Sequence, residues 1–314
     1  MELRNLGRSG LSVSLVGLGC NNFGGRIDLE ASREVVHKAL DLGVTLLDTA
    51  DTYGNFGGSE TCLGEILGAR RKDVVLATKF GMPMNAEGTI KGASRRYIMA
   101  EVEASLKRLK TDWIDLYQLH QPDPLTPIEE TLRTLDDLVH QGKVRYIGCS
   151  NLPAWQVVEA HWAAKQLGLN AFVSAQDEYS LVVRDIDHEL IPALQAYDMG
   201  LLPFFPLASG LLTGKYRRNA PLPAGTRLAG AQRLADRFLS EANWQIAERL
   251  QDFAATRGHS LLELAFCWLA ARPQVASVIA GATKPEQLEQ NVKAVGWALS
   301  PEEMAEIDGI TKPE

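Results

Sequence analysis

The segment "GVTLLDTADTYG" ends an apolar run on a carboxylate, Asp48, and sets a phenol, Tyr53, just beyond it. Four later apolar runs also stop on a polar group, each of a different kind: Lys79, His120, the pair Ser150 and Asn151, and Gln176. One polar terminus is ordinary, because every strand must emerge into water somewhere. Five successive ones, each with another hydrogen-bonding or titratable function, mark a site. The set is chemically coherent. A free phenol titrates near ~10 and is mostly inert at neutral pH. A neighbouring ammonium favours the phenolate and lowers that value. Lys79 can act so if Asp48 keeps it ionised, although a buried pair is costly to assemble. His120 can hydrogen-bond a carbonyl oxygen and orient it toward Tyr53. The expectation is a general acid tuned toward working pH, with electrostatic support for an oxygen gaining negative charge.

Such a site needs elements that bring distant strand ends together. Eight strand candidates recur along the chain, at 14–20, 45–50, 73–79, 115–120, 144–150, 171–176, 201–207 and 275–281. Most are rich in Val, Ile and Leu without clean alternation, as expected of parallel strands covered on both faces. Amphipathic stretches lie between them. "EASREVVHKALDLG" puts Val35, Val36, Ala39 and Leu40 on one face and stops at Gly43. "SRRYIMAEVEASLKRLK" opens at an N-cap, Ser94, and keeps Ile98, Val102, Leu106 and Leu109 in register.

This alternation predicts an α/β fold, a (β/α)8 TIM barrel forming a single domain over 1–314, with catalytic groups at the C-terminal strand ends. The competing architecture is a doubly wound open sheet. Gly17 and Gly19 form a G-x-G, but Asn22 breaks the dinucleotide fingerprint. Three pieces fall outside the repeat: an N-terminal β-hairpin over 2–13 plugging the barrel's bottom, a long polar insertion at 208–240, and a C-terminal extra helix capped by Ser300. The insertion is expected to be functional.

Composition narrows the function. At 314 residues and 46% hydrophobic, the chain can bury a large core. A net charge of −7 and the lack of a basic run argue against nucleic acid. No apolar stretch is long enough to span a bilayer. The N-terminus has no signal core, and four scattered cysteines suit reduced thiols, so a cytoplasmic location is expected. The other histidines (37, 140, 161, 188 and 259) lack ligand spacing, so no metal site is expected. "RDIDHEL" at 184–190 reads as a solvated loop running into a helix. Cys20 and Asn21, after the first barrel strand, are candidate substrate contacts.

Several motifs in order resemble the aldo-keto reductase family over nearly the whole chain. "GVTLLDTADTYG" is similar to its Asp-and-Tyr segment, "VVLATK" to its lysine strand, and "IDLYQLHQPD" to its histidine strand. "GKVRYIGCSN" resembles the segment ending in a nicotinamide-binding Ser-Asn pair. "LPFFPLASGLLTGKY" and "VIAGATKPEQLEQN" resemble the two nucleotide-binding segments. The resemblance implies Tyr53 as acid, supported by Asp48, Lys79 and His120, with Ser150, Asn151 and Gln176 on the nicotinamide carboxamide. It implies Phe204 stacked on the nicotinamide, where a phenylalanine keeps the face and loses a hydroxyl. Phe205 stands where a small serine is common. Leu207, Ser209, Gly210, Leu211 and Lys215 would line the pyrophosphate channel. Gly281, Thr283 and Lys284, followed by Gln287, Gln290 and Asn291, would hold the adenosine end and its 2′-phosphate, favouring NADPH over NADH. Lys284 offers a point charge rather than a guanidinium fork, so discrimination should be milder.

The implied activity is NADPH-dependent reduction of an aldehyde or ketone to an alcohol, with no prediction of oligomeric state. The resemblance also allows a cofactor-sensing subunit of the kind attached to potassium channels, with little turnover. A barrel isomerase or aldolase using Lys79 as a Schiff base is disfavoured by the nucleotide motifs.

Overall fold

The structure is a computed structural model and describes residues 1–312. It begins with an antiparallel hairpin, β1 (Leu3–Asn5) and β2 (Ser12–Ser14), paired Leu3 to Ser14 and Asn5 to Ser12. The barrel strands follow: β3 (Val16–Gly19), β4 (Leu46–Asp48), β5 (Val75–Phe80), β6 (Ile114–Leu119), β7 (Val144–Ser150), β8 (Ser174–Gln176), β9 (Gly200–Leu201) and β10 (Val278–Gly281). All pair in parallel with their neighbours in chain order, and β10 returns to pair with β3. A bridge between Leu201 and Val275 joins β9 to the segment entering β10, which closes the ring. Unbroken strand order with closure is a (β/α)8 barrel. The doubly wound alternative would reverse its strand order midway.

Helices cover the outside: α1 (Leu29–Asp41), α2 (Tyr53–Leu67), α3 (Arg95–Leu109), α4 (Ile128–His140), α5 (Ala154–Leu167), α6 (Leu190–Ala196), α7 (Gln232–Phe238), α8 (Glu241–Ala255), α9 (Leu261–Ala270) and α10 (Pro285–Lys293). The expected caps are present. The Ser94 hydroxyl accepts from the Tyr97 amide, and Gly43 takes φ +76° just past the end of α1. The last helix, α11 (Pro301–Thr311), begins with a reciprocal capping box between Ser300 and Glu303.

Inside the barrel the strand parity sorts side chains into two layers. Leu46, Ala77, Leu116, Leu202 and Ile279 form an apolar layer that Leu6 and Val13 of the hairpin close from below. Two residues further along their strands, on the same face, come Asp48, Lys79 and Gln118. The hairpin thus seals the end opposite the polar layer.

Three expectations are corrected. The run 201–207 is a strand only over Gly200–Leu201. Pro203 and Pro206 have no N–H to give, and Phe205 turns to φ +51°, so past the strand the pairing shrinks to an isolated bridge between Phe204 and Glu178. The polar insertion at 208–240 is partly helical, with a 3-10 turn at Ala208–Thr213 and then α7. Arg184, expected in a solvated loop, instead bonds Asp308 of α11 at 2.7 Å and fastens the last helix to the barrel.

The start of α2 is irregular. Gly54, Asn55, Phe56 and Gly57 all have positive φ, a left-handed turn between Tyr53 and the regular helix. A Cβ on Gly54 would lie 2.4 Å from the Phe23 carbonyl oxygen and 2.6 Å from the Ser59 nitrogen. Only glycine fits. Gly54→Ala is expected to destabilise the protein by about 1–3 kcal/mol and to reduce any activity that depends on Tyr53, measured by urea unfolding. An unchanged midpoint would show that the turn has room to spare.

Candidate active site

The polar layer opens into a cleft of about 840 Å³ at the C-terminal ends of the strands. Its floor is an ion pair. Lys79, on β5, has no exposed surface and donates to Asp48 Oδ2 at 2.7 Å and to the Thr49 carbonyl at 2.9 Å. An ammonium has three donors. The third is left beside Tyr53, with the ammonium 5.1 Å from the ring centroid. Asp48 Oδ1 accepts from Gln176 at 2.9 Å and from Gln118 at 3.2 Å. Both ions are therefore satisfied, which is what a buried pair requires.

The titration behaviour follows from burial and charge. Burial alone would pull Lys79 down, but Asp48 and then Tyr53 outweigh it, and the ammonium is held above its ordinary value. For Tyr53 burial is the largest influence and raises the phenol; the Lys79 charge opposes that rise without cancelling it. The net shift of Tyr53 is therefore upward, opposite to the expected tuning toward neutral pH. His120 is pushed well below its ordinary value, first by burial and then by Lys79, so its imidazole is neutral. Its ring stands edge-on to Tyr53 with centroids 5.6 Å apart, and its Nδ1 is buried without a hydrogen-bond partner. Behind the turn, the Tyr97 hydroxyl donates to Asp51 Oδ2 at 3.2 Å and anchors the backbone that presents Tyr53.

The remaining sequence candidates gather along the same cleft. Ser150, Asn151 and Gln176 stand at adjacent strand ends, with the Asn151 amide donating to the His120 carbonyl at 2.9 Å. Gln176 gives its side-chain nitrogen to Asp48, and its side-chain Oε1 has no hydrogen-bond partner among the described residues. Phe204 and Phe205 line the wall edge to face, 5.4 Å apart. Leu207, Ser209, Gly210 and Lys215 continue the wall, and Gly281, Thr283, Lys284, Gln287, Gln290 and Asn291 form its far end. There the Gln287 side chain accepts from the Thr283 amide at 2.8 Å.

Three candidates do not line the cleft. Leu211 is buried in the core, because the 3-10 turn rotates it inward. Lys79 lies behind Asp48 and Tyr53, and Cys20 is fully buried while Asn21 beside it reaches the cleft. Residues not singled out from the sequence include Gln118, Arg26, Met82, Thr213 and Arg227. Gln118 carried a signal: it sits two residues before His120 and so shares its face.

The cleft is suited to a dinucleotide. Ala208, Ser209 and Gly210 have successive positive φ, and the Ala208 and Gly210 amides are spent on the Phe205 and Leu207 carbonyls at 2.9 and 2.7 Å. The Ser209 hydroxyl there is buried without a partner. A Cβ on Gly210 would lie 2.9 Å from Lys215 Nζ, so glycine leaves room for that ammonium beside Ser209. Among the described residues, no cluster of His, Cys, Asp or Glu could hold a metal ion, and no helix is long and apolar enough to cross a membrane.

The sequence profile of the Aldo/keto reductase family matches residues 15–312. The chain belongs to the aldo/keto reductase family. It is 37% identical to a probable voltage-gated potassium channel subunit beta of Oryza sativa subsp. japonica, over 99% of this chain and 97% of that protein. A corresponding Arabidopsis thaliana protein is 38% identical over 94% of this chain and 91% of its own length. The L-glyceraldehyde 3-phosphate reductase of Escherichia coli strain K12 is 35% identical over 98% of this chain and 92% of its length. Membership supports an oxidoreductase acting on small carbonyl compounds.

Lys79→Met should leave Asp48 as a buried carboxylate without its counter-ion, at a cost of about 3–5 kcal/mol. The double variant Asp48→Asn/Lys79→Met should recover part of that loss. Urea midpoints for the two variants check this, and a Lys79→Met midpoint equal to wild type would show that the pair is not coupled.

Proposed function

We propose that this protein is an NADPH-dependent reductase that converts an aldehyde or ketone to an alcohol. The observation that supports it most is Lys79, fully buried and charged, bonded to Asp48 and Thr49 with its ammonium 5.1 Å from the Tyr53 ring centroid at the floor of the cleft. NADPH, when bound, supplies the hydride. Ser150, Asn151 and the side-chain Oε1 of Gln176 would hold the carboxamide, Phe204 would give the ring a stacking face, and the Ser209 hydroxyl with Lys215 would hold the diphosphate. Gly281, Thr283, Lys284, Gln287, Gln290 and Asn291 would receive the adenosine 2′-phosphate.

The chain's own groups handle the proton. With Nδ1 unpartnered, a neutral His120 can carry its proton on the other ring nitrogen and donate it to the substrate oxygen, while Tyr53 donates from a second direction. As the carbonyl carbon gains hydride, its oxygen becomes an alkoxide, far more basic than any phenol. Tyr53 can therefore deliver its proton even with its affinity for protons raised by burial. The phenolate left behind faces the Lys79 ammonium, so the charge is stabilised where and when it forms. The high value keeps Tyr53 protonated at neutral pH, ready to donate.

The named relatives include potassium channel beta subunits, which favours a second reading: a subunit that binds the nucleotide and reports its redox state. The complete Tyr53, Lys79, Asp48 and His120 set argues for turnover. A panel of aldehydes, with glyceraldehyde 3-phosphate included, separates the two. Steady NADPH consumption supports the reductase; tight binding with no consumption supports the sensor. Tyr53→Phe is expected to keep NADPH affinity and lose about 10²–10⁴-fold in kcat. Wild-type turnover by that variant would remove Tyr53 from the mechanism.

A further inference from the structure

Behind the turn that delivers Tyr53 lies a second buried ionic cluster, and it is short of cations. Glu60 of α2 has no exposed surface, and Glu101 of α3 is buried as well. Both accept from one guanidinium. Arg108 Nε donates to Glu60 Oε2 at 2.6 Å, and Arg108 Nη2 donates to Glu101 and to the Ser105 hydroxyl. The Thr78 hydroxyl of β5 donates to the other oxygen of Glu60. Asp51, in the loop after β4, is the third carboxylate. It has no exposed surface either, and it is ion-paired to nothing among the described residues.

The titratable groups around Asp51 come from several elements. Glu101 and Glu60 act on it as like charges. Tyr97 of α3 and Tyr117 of β6 bring phenols, and the Tyr117 hydroxyl is buried without a partner. Lys79 of β5 is committed to Asp48, and Tyr53 itself lies within reach of an Asp51 charge. What holds Asp51 is a pair of hydrogen bonds: Oδ1 accepts from the Thr52 amide at 2.6 Å, and Oδ2 pairs with the Tyr97 hydroxyl at 3.2 Å. The first fixes the residue before Tyr53, and the second ties the turn to α3.

An ionised carboxylate without a counter-ion, in a dry site with like charges nearby, is far costlier than its neutral form. Three carboxylates around one guanidinium therefore keep a proton, and the one without an ion pair is placed to keep it. Burial first, then Glu101 and Glu60, push Asp51 well above the usual carboxylate range. Burial raises Glu60 too, but there Arg108 and the Thr78 hydroxyl oppose it.

We propose that Asp51 is a positioning residue that works as a neutral acid, holding the Thr52 amide with one oxygen and giving its proton to the Tyr97 oxygen with the other. The sense of the Tyr97 bond is then the reverse of that in an ionised Asp51. Tyr53 is braced with no charge placed behind it, whereas an ionised Asp51 would oppose the phenolate that forms when Tyr53 gives up its proton. The protonation state stands apart from the reductase reading; its kinetic consequence rests on that reading.

Infrared difference spectra of the full chain against Asp51→Asn observe the proton directly. At neutral pH wild type should show the C=O stretch of a protonated carboxyl that the variant lacks; carboxylate bands in its place would overturn the proposal. Urea unfolding is the second measurement. A carboxyl that keeps its proton in the folded chain and loses it in the unfolded one makes stability fall as pH rises above the unfolded value of ~3.9. Between about pH 5 and 7 the folding constant of Asp51→Asn relative to wild type should grow by about tenfold per pH unit, and a flat or falling ratio would contradict a neutral Asp51. An Asp51→Asn chain that does not fold would also overturn it, since an amide can replace both bonds of a neutral acid. In turnover with NADPH, Asp51→Leu should lose at least about tenfold in kcat with little change in its Kd for NADPH, and Asp51→Asn should recover most of that loss. Equal losses in both variants would mean that the charge is needed. If the carboxyl band is present but no aldehyde turns over, the neutral acid stands and the reductase reading falls.

Discussion

Everything at the top of this barrel depends on keeping one ammonium charged where there is no water. A lysine with no exposed surface loses its proton unless something nearby repays the lost hydration. Asp48 does so at 2.7 Å, and the second oxygen of the same carboxylate is occupied by Gln176 and Gln118. Removing any member leaves another with an unmet charge or hydrogen bond. The pair is thus a poor source of stability and a strong constraint on geometry. Its outcome is positional: the ammonium, with one donor not spent on Asp48 or Thr49, is held 5.1 Å from the Tyr53 ring centroid.

The fold supplies that constraint by parity and by closure. Asp48, Lys79 and Gln118 follow Leu46, Ala77 and Leu116 by one full side-chain repeat on neighbouring strands, so the apolar layer below fixes the height of the polar layer above. The hairpin seals the base, and the bridge between Leu201 and Val275 closes the ring. Tyr53 comes from outside this frame, on a left-handed turn that needs Gly54 and is tied back through Asp51 and Tyr97. A rigid base and a separately braced acid let the phenol meet the ammonium without belonging to the same strand.

Much of this was legible in the sequence, for a physical reason. Parallel strands covered on both faces tolerate polar residues only where they emerge, so Asp48, Lys79, His120, Ser150 and Gln176 stood out against apolar runs. What escaped notice was less distinctive. Gln118 reads as one polar residue within "DLYQLH" and is exposed only by its period with His120. Leu211 looked like a neighbour of Ser209 and Gly210, but a 3-10 turn, invisible in composition, rotates it into the core. Arg26 and Arg227 lie in loops, where spacing says nothing of proximity. The sign of the Tyr53 shift was missed because it is a balance between burial and a neighbouring charge, and only coordinates weigh the two.

The most direct test follows the Tyr53 proton itself. With tyrosine labelled by carbon-13 at the ring carbon bearing the hydroxyl, and the Tyr53 signal assigned by its absence from Tyr53→Phe, the phenol can be titrated in wild type and in Lys79→Met. Tyr53 in the wild-type protein should titrate above the ordinary value of about 10, and in Lys79→Met higher still. A Tyr53 that titrates at the same pH with and without the lysine would mean the two side chains do not communicate, and the account of this site would fail.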